Sequence, residues 1–190
     1  AGDNGSIINM TGTPHAAIIM RGGRVVKPVG NATAIADSYV PAGTNTCTLV
    51  SAAGFAIGDT IEITKPVTDD WVSFMGMDKL VRNGKKQTWV KGVITAERVI
   101  TGINDNKITV NIPFNDAYDM KYLGHQGVSV NKINTSGTVT QVGVENLRIF
   151  SPGQTGPIDD KHNQGISFNG IADGWARNIA IYNTVGSVHV

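Results

Sequence analysis

The chain has one cysteine in 190 residues, Cys47, so it forms no intramolecular disulfide. Leucine is nearly as scarce, with four against 20 valines and 20 isoleucines. β-branched side chains are stiff at χ1 and suit a pleated surface, whereas helices favour Leu, Ala, Glu and Lys; this imbalance excludes a helical bundle or coiled coil. Charge is sparse at 16%, but 41% of residues are hydrophobic, which excludes disorder. Neither sign dominates: 16 basic and 15 acidic residues leave a net charge of +1, too balanced to point to nucleic acid. The longest uncharged run, 38–58, carries Pro41, three glycines and four Thr or Asn, so it is no membrane span. There is no Gly-x-Ser-x-Gly elbow, phosphate loop, dinucleotide fingerprint or His-Glu-x-x-His, and none of His15, His125, His162 and His189 has zinc-ligand spacing to a cysteine. The chain starts without Met or a signal-peptide pattern and ends on a strand-like Gly186-Ser187-Val188-His189-Val190, which leads us to expect a fragment of a longer protein.

What is present falls into three textures. Residues 6–10 and 17–20 are continuous apolar runs followed by Gly-rich punctuation, as in strands buried on both faces or stacked in parallel. From about 31 to 123 the runs 46–50, 60–64, 93–103 and 107–112 alternate with period two, the pattern of half-buried antiparallel strands. Asn104-Asp105-Asn106 is a hairpin signal, and Thr68 or Asp69 is placed to cap a short helix. From about 124 short strands return with a near-repeat: Val144-Glu145-Asn146-Leu147-Arg148-Ile149 aligns with Ala176-Arg177-Asn178-Ile179-Ala180-Ile181, 32 residues on. Treating most of 153–163 as a loop leaves a coil of roughly 20-odd residues, within the solenoid range. Asn146 and Asn178 then occupy equivalent places, where stacked amides both donate and accept.

The segments 144–149, Ile158-Asp159-Asp160-Lys161-His162, 165–168 and 172–179 resemble the pectate-lyase-like superfamily of right-handed parallel β-helices. Ile18-Ile19-Met20-Arg21-Gly22-Gly23 is similar to a rung that precedes an insertion, and 54–59 with 74–78 resembles the accessory β-domain of uncharacterised members. The resemblance implies an all-β protein: parallel β-helix rungs from 1–30 and 124–190, interrupted by a small antiparallel β-barrel-like domain at 31–123. Ile18-Ile19 and Val128-Ser129-Val130 are expected on neighbouring coils.

The densest titratable cluster beside a strand is Asp159-Asp160-Lys161-His162. Glycoside hydrolysis needs two carboxyl groups about 5 Å or about 6.5–9.5 Å apart. Rungs stack at about 4.8 Å, which makes Asp160 and Asp173 candidate partners. β-Elimination instead needs a base, for which His162 or Lys161 serves, and a cation on the uronate, for which Arg177 or a bound Ca²⁺ serves. No other cofactor is expected. Trp175 is placed to stack on a sugar ring. Lys79, Arg82, Lys85, Lys86 and Lys91 form a basic run around Trp89, suited to a polyanion. The plainer alternatives are that Asp159-Asp160 start a turn capped by His162, that Arg177 pairs with Asp173, and that the basic run is a solvated face.

These residues lead to a carbohydrate-active β-helix protein at the cell surface or outside the cell. It would act as a lyase or glycoside hydrolase on a polysaccharide, with Asp159, Asp160, His162, Asp173 and Arg177 converging on one groove. Trp175, Lys161, Lys85, Lys86 and Trp89 would bind substrate. The alternatives are a non-catalytic structural or adhesive solenoid, which predicts those groups scattered or paired off, and a polyanion-binding module.

Overall fold

The computed structural model describes residues 5–86, 91–125, 127–157 and 159–190. In chain order its strands begin with β1 (Ser6–Asn9), β2 (Ala16–Arg21), β3 (Val25–Ala34), β4 (Tyr39–Val40), β5 (Thr46–Thr48) and β6 (Thr60–Pro66). Helix α1 (Asp69–Phe74) follows, then β7 (Val81–Arg82), β8 (Lys85–Lys86), β9 (Val93–Asn104), β10 (Lys107–Val110), β11 (Tyr118–Asp119) and β12 (Ser129–Ser136). The last six are β13 (Val139–Thr140), β14 (Gly143–Phe150), β15 (Gln164–Asn169), β16 (Ile171–Ala172), β17 (Trp175–Tyr182) and β18 (Gly186–His189). The protein is all-β, as the Val and Ile excess requires. It divides into two compact units, Ala1–Val26 with Thr135–Val190, and Lys27–Asn134.

The first unit consists of three parallel sheets: β1-β14-β17, β18-β15-β2 and β13-β16. After β13 the chain visits the three in rotation, so each strand lies beside the equivalent strand of the previous circuit. Gly143–Phe150 faces Trp175–Tyr182 at an offset of 32, the spacing of the sequence repeat. β15 faces β18 at an offset of 22, Gln164 opposite Gly186. The ten-residue difference lies in the connection after β14: residues 151–163 there, against 183–185 after β17. Like residues stack as a result. Ile8, Ile149 and Ile181 form one inward row, and Ile18, Ile166 and Val188 occupy equivalent positions in the other sheet. Ile149 and Ile166 are fully buried, each contributing about 1.5–3 kcal/mol by that burial. The apolar runs are not buried on both faces, however: Ile7 and Ile19 point out and are about half exposed.

Three glycines let backbones touch in this unit. A Cβ on Gly22 would lie 2.3 Å from the Gly170 carbonyl oxygen, and one on Gly137 2.2 Å from that of Gly23. Gly170 also takes a φ of +64°.

The second unit holds an antiparallel sheet in the order β3-β12-β6-β9-β10-β5. Its first and last strands are joined by an Ile35–Leu49 bridge, with Val50 N–H donating to Ala34 O and Ala36 N–H to Thr48 O. Here the alternation predicted by the sequence is literal, since β6 buries Ile61, Ile63 and Lys65 in turn. The β9–β10 hairpin turns at Asp105, with φ +53°. Thr68 caps α1 by accepting the Trp71 N–H at 3.1 Å. Burial pushes the Cys47 thiol up to about 12, and the nearby Asp37 carboxylate adds to the shift. Val128-Ser129-Val130 does not lie beside Ile18-Ile19. Val130 pairs antiparallel with Ile63, and Ile18-Ile19 pairs with Ile166-Ser167. An apolar–polar–apolar triplet suits either kind of partner, so pattern alone did not choose between them.

Lys65 is 1% exposed. Its ammonium lies 2.6 Å from Asp116 Oδ2 and 4.1 Å from the Trp71 ring centroid. A charge taken from water needs such partners.

Two outcomes are expected. Gly22→Ala lowers the unfolding free energy in urea by about 1–3 kcal/mol. Gly23→Ala, whose Cβ meets nothing within 4 Å, stays within about 0.5 kcal/mol of wild type. Equal losses would refute the close-contact account. Asp116→Ala strands the Lys65 charge and costs about 3 kcal/mol, while Lys65→Met with Asp116→Leu recovers most of that stability.

Candidate functional site

The outward side chains of β14 and β17 form the most organised polar surface of the first unit. Val144, Leu147 and Ile149 on β14, and Ile179 and Ile181 on β17, pack inward. Alternation therefore turns Glu145, Arg148 and Phe150 outward, with Trp175, Arg177 and Tyr182 beside them. Asn146 and Asn178 interrupt the alternation in the left-handed region, at φ 57° and 53°. Asn can adopt that conformation at low cost. Asn178 Nδ2 donates to Asn146 Oδ1 at 2.6 Å, which realises the stacked amides expected from the repeat.

Register places Glu145 opposite Arg177 and Gly143 opposite Trp175. One carboxylate oxygen of Glu145 accepts from Arg177 Nη2 at 2.8 Å, and the other from Trp175 Nε1 at 2.7 Å. A Cβ on Gly143 would lie 2.4–2.6 Å from three indole carbons of Trp175. Three ring atoms at nearly one distance mean that the indole lies face-on over Gly143. Its other face is turned outward, and the residue is 42% exposed. At the far end of the same strands, the rings of Phe150 and Tyr182 stack with centroids 4.5 Å apart and planes 5° apart. The arginine beside Glu145, and then the Trp175 N–H, hold its carboxyl below the usual glutamate range.

The expected groove of five catalytic groups is not assembled. Asp159, Asp160, Lys161 and His162 lie in the loop between β14 and β15. There Asp160 N–H donates to Pro157 O, and His162 Nδ1 sits 2.6 Å from Asp160 O. Asp173 is exposed in the turn before β17, at φ 53°. β17, interrupted by the left-handed Asn178, runs from that turn to Tyr182, which lies beside Phe150 where the loop begins, so Asp173 and the loop stand at opposite ends of the strand. The rung-spacing argument for Asp160 with Asp173 counted distance across strands and omitted distance along them. Arg177 pairs with Glu145 and not with Asp173.

In the second unit Arg82 and Lys85 are exposed on the β7–β8 hairpin, which turns at Asn83 and Gly84, both with positive φ; Lys86 pairs with Val81 there. Trp89, and Ile158 ahead of Asp159, lie outside the described residues. Glu145 was not singled out by the sequence as a site residue. Its signal was the 32-residue repeat, which sets it opposite Arg177. Among the described residues no group of three or more His, Cys, Asp or Glu side chains is placed to hold a metal ion. Among the described residues no helix is long and apolar enough to cross a membrane.

No family model matches the chain, and no curated protein sequence matches it. Among solved structures it is similar to the tailspike protein gp49 from Pseudomonas phage LKA1, at 17% identity over 92% of this chain and 33% of that one, with a TM-score of 0.40. It is also similar to the Gp54 tailspike of Acinetobacter baumannii bacteriophage AP22, a structure in complex with A. baumannii capsular saccharide, at 11% identity over 93% and 37%, with a TM-score of 0.42. The tailspike gp61 of Pseudomonas phage phi297 aligns at 11% identity over 97% and 34%, with a TM-score of 0.38. The chain spans about a third of the length of these proteins.

The lowered Glu145 pKa gives a signed expectation. A carboxylate stabilised in the folded state contributes above its ordinary pKa, and the contribution fades as pH falls through the lowered value. In a carboxyl-detected NMR titration, Arg177→Ala should raise the Glu145 midpoint toward the ordinary range, and Trp175→Phe should raise it less. An unmoved midpoint in both variants would contradict the geometry.

Proposed function

We propose that this chain binds polysaccharide along the outer face of β14 and β17, as part of a right-handed parallel β-helix of the pectate-lyase-like kind that works outside the cell. The observation that carries this reading is the Trp175 indole, laid flat over Gly143 and fixed by Glu145. The C–H face of a pyranose ring is apolar and packs on such a platform. Beside the platform, Arg177 and the Asn146–Asn178 pair offer donors and acceptors to hydroxyl groups. The Phe150–Tyr182 stack provides a second aromatic site at the other end of the same strands, so the face suits an extended chain better than a single sugar.

The same geometry favours binding over cleavage. Hydrolysis needs a protonated carboxyl and a carboxylate across the scissile bond. The Glu145 carboxyl is held ionised and spends both oxygens on Arg177 and Trp175.

Affinity electrophoresis of the chain through gels containing neutral or uronate polysaccharides tests the proposal. Wild type is expected to be retarded by at least one polymer, and Trp175→Ala to bind it about tenfold more weakly. Gly143→Ala, which lifts the indole while keeping every aromatic residue, should lose a similar amount. Retardation that is absent in wild type, or equal in all three proteins, would sink the proposal.

A further inference from the structure

The second unit carries an open cleft of about 410 Å³ between α1 and the single 3₁₀ turn at Met120–Tyr122, lined by Asp70, Ser73, Phe74, Lys121 and Tyr122. Both walls are tied to one core. Thr68 Oγ1 accepts the Trp71 N–H at 3.1 Å and donates to Tyr122 O, so one hydroxyl joins the start of α1 to the turn. Trp71 and Met120 pack on the buried cluster of this unit, and Leu123 is buried in it. Met120 N–H donates to Ser38 O at 3.0 Å, and Asp119 caps the turn by accepting the Lys121 N–H at 3.1 Å. A cleft held in this way is formed before a ligand arrives, so binding carries little ordering cost.

The rings of Phe74 and Tyr122 stack with centroids 4.2 Å apart and planes 21° apart. Stacking covers one face of Phe74, yet the residue stays 61% exposed. Lys121 Nζ lies 5.1 Å from the Tyr122 ring centroid, which sets its ammonium beside the aromatic pair. Asp70 precedes Phe74 by four residues and shares its side of α1. Among the described residues Asp70 and Lys121 enter no ion pair, with each other or elsewhere. Ser73 Oγ is already used, as a donor to Asp78 Oδ2 at 3.3 Å. The cleft therefore offers an apolar ring, one cation and one anion, each on a residue exposed to solvent. The two charges cancel, so a highly charged polyanion gains no net attraction here. A ligand with a single carboxylate and several hydroxyl groups can instead place each end on its complement.

We infer that this cleft binds a carboxylate-bearing pyranose, a uronate unit, as an acidic-sugar site distinct from the aromatic face of β14 and β17. The C–H face of the sugar packs on Phe74, its carboxylate accepts from the Lys121 ammonium, and its hydroxyl groups donate to the Asp70 carboxylate. The reverse orientation sets carboxylate against carboxylate and is disfavoured. The choice of a sugar rests on the polysaccharide-binding reading; the cleft, its exposed ring and its two charges do not.

Amide NMR titration of the whole chain with glucuronate and galacturonate, each against its neutral counterpart glucose or galactose, tests the inference. The members of each pair differ only at C6, which isolates the part played by Lys121. At least one uronate is expected to shift the Ser73, Lys121 and Tyr122 amide signals to saturation with a Kd of about 1 mM, about tenfold tighter than its neutral counterpart. Lys121→Gln should remove that preference. Phe74→Ala should abolish the saturating shifts, and Phe74→Tyr, which keeps a flat ring, should retain them. Trp71 and not Phe74 packs α1 on the core, so the spectrum of Phe74→Ala away from the cleft should stay that of wild type. No saturating shift of those amides with either uronate overturns the inference. So does equal affinity for a uronate and its neutral counterpart, or a preference that survives Lys121→Gln. Shifts confined to the Trp175 indole overturn it because the sugar then sits on the other face. Cleft signals that move with protein concentration and not with sugar overturn it by assigning the exposed ring to a second copy of the chain. None of these readouts uses retardation by polymer, so the reading of the β14 and β17 face stands or falls separately.

Discussion

The parallel register between β14 and β17 is the constraint from which the rest of the first unit follows. In a parallel pair every residue sits beside a fixed counterpart about 4.8 Å away. An offset of 32 therefore decides at once that Ile149 meets Ile181 inside, that Asn146 meets Asn178 at the bend, and that Glu145 meets Arg177 outside. Slipping the register by one residue would turn the isoleucine row outward and bring charge into the core. The apolar rows thus hold the polar face in place. The exposed Glu145–Arg177 pair contributes little to stability on its own, since solvent screens it.

Parallel stacking also explains where the chain accepts extra length. Ladder hydrogen bonds fix the strands, but the connections between them carry no such obligation. Ten residues added after β14 leave the β15–β18 register intact at 22. The far larger segment 27–134 interrupts the first unit just as cleanly, between Gly22-Gly23 and Gly137, where glycines let backbone approach backbone. That segment closes a core of its own, around Ile61, Ile63, Ile108 and Phe114 among others, and it accommodates Lys65 at an inward position by giving it Asp116 and Trp71.

Much of this was legible in the sequence, for a physical reason. A stack repeats its environment, so the Val144–Ile149 and Ala176–Ile181 segments had to look alike, and the loop length followed from the coil length. The alternation of 60–64 likewise reported a half-buried strand. Three features were not legible. Val128-Ser129-Val130 reads the same whether its neighbour is parallel or antiparallel, and only the fold selects Ile63. Lys65 sits at a buried position of an alternating strand, where a charged residue disguises the pattern until its partner 51 residues away is known. Glu145 looked like one more repeat residue, because its role comes from the strand beside it and not from its sequence neighbours.

That dependence on a neighbour separates the two kinds of site reading. Asp159, Asp160 and His162 are close in sequence, so clustering them required no fold, and they remain together in one loop. Asp173 joined that cluster through the distance between rungs, and the structure places it in the turn before β17; Arg177, expected to neutralise a uronate, pairs with Glu145 instead. Trp175 carries the proposed sugar face because flatness, not proximity, makes an aromatic platform. An indole held face-on by a glycine below and a carboxylate at its N–H has lost its rotamer freedom before a sugar arrives, so little ordering cost remains at binding. The glycine at 143 is therefore as much a part of that face as the tryptophan it carries.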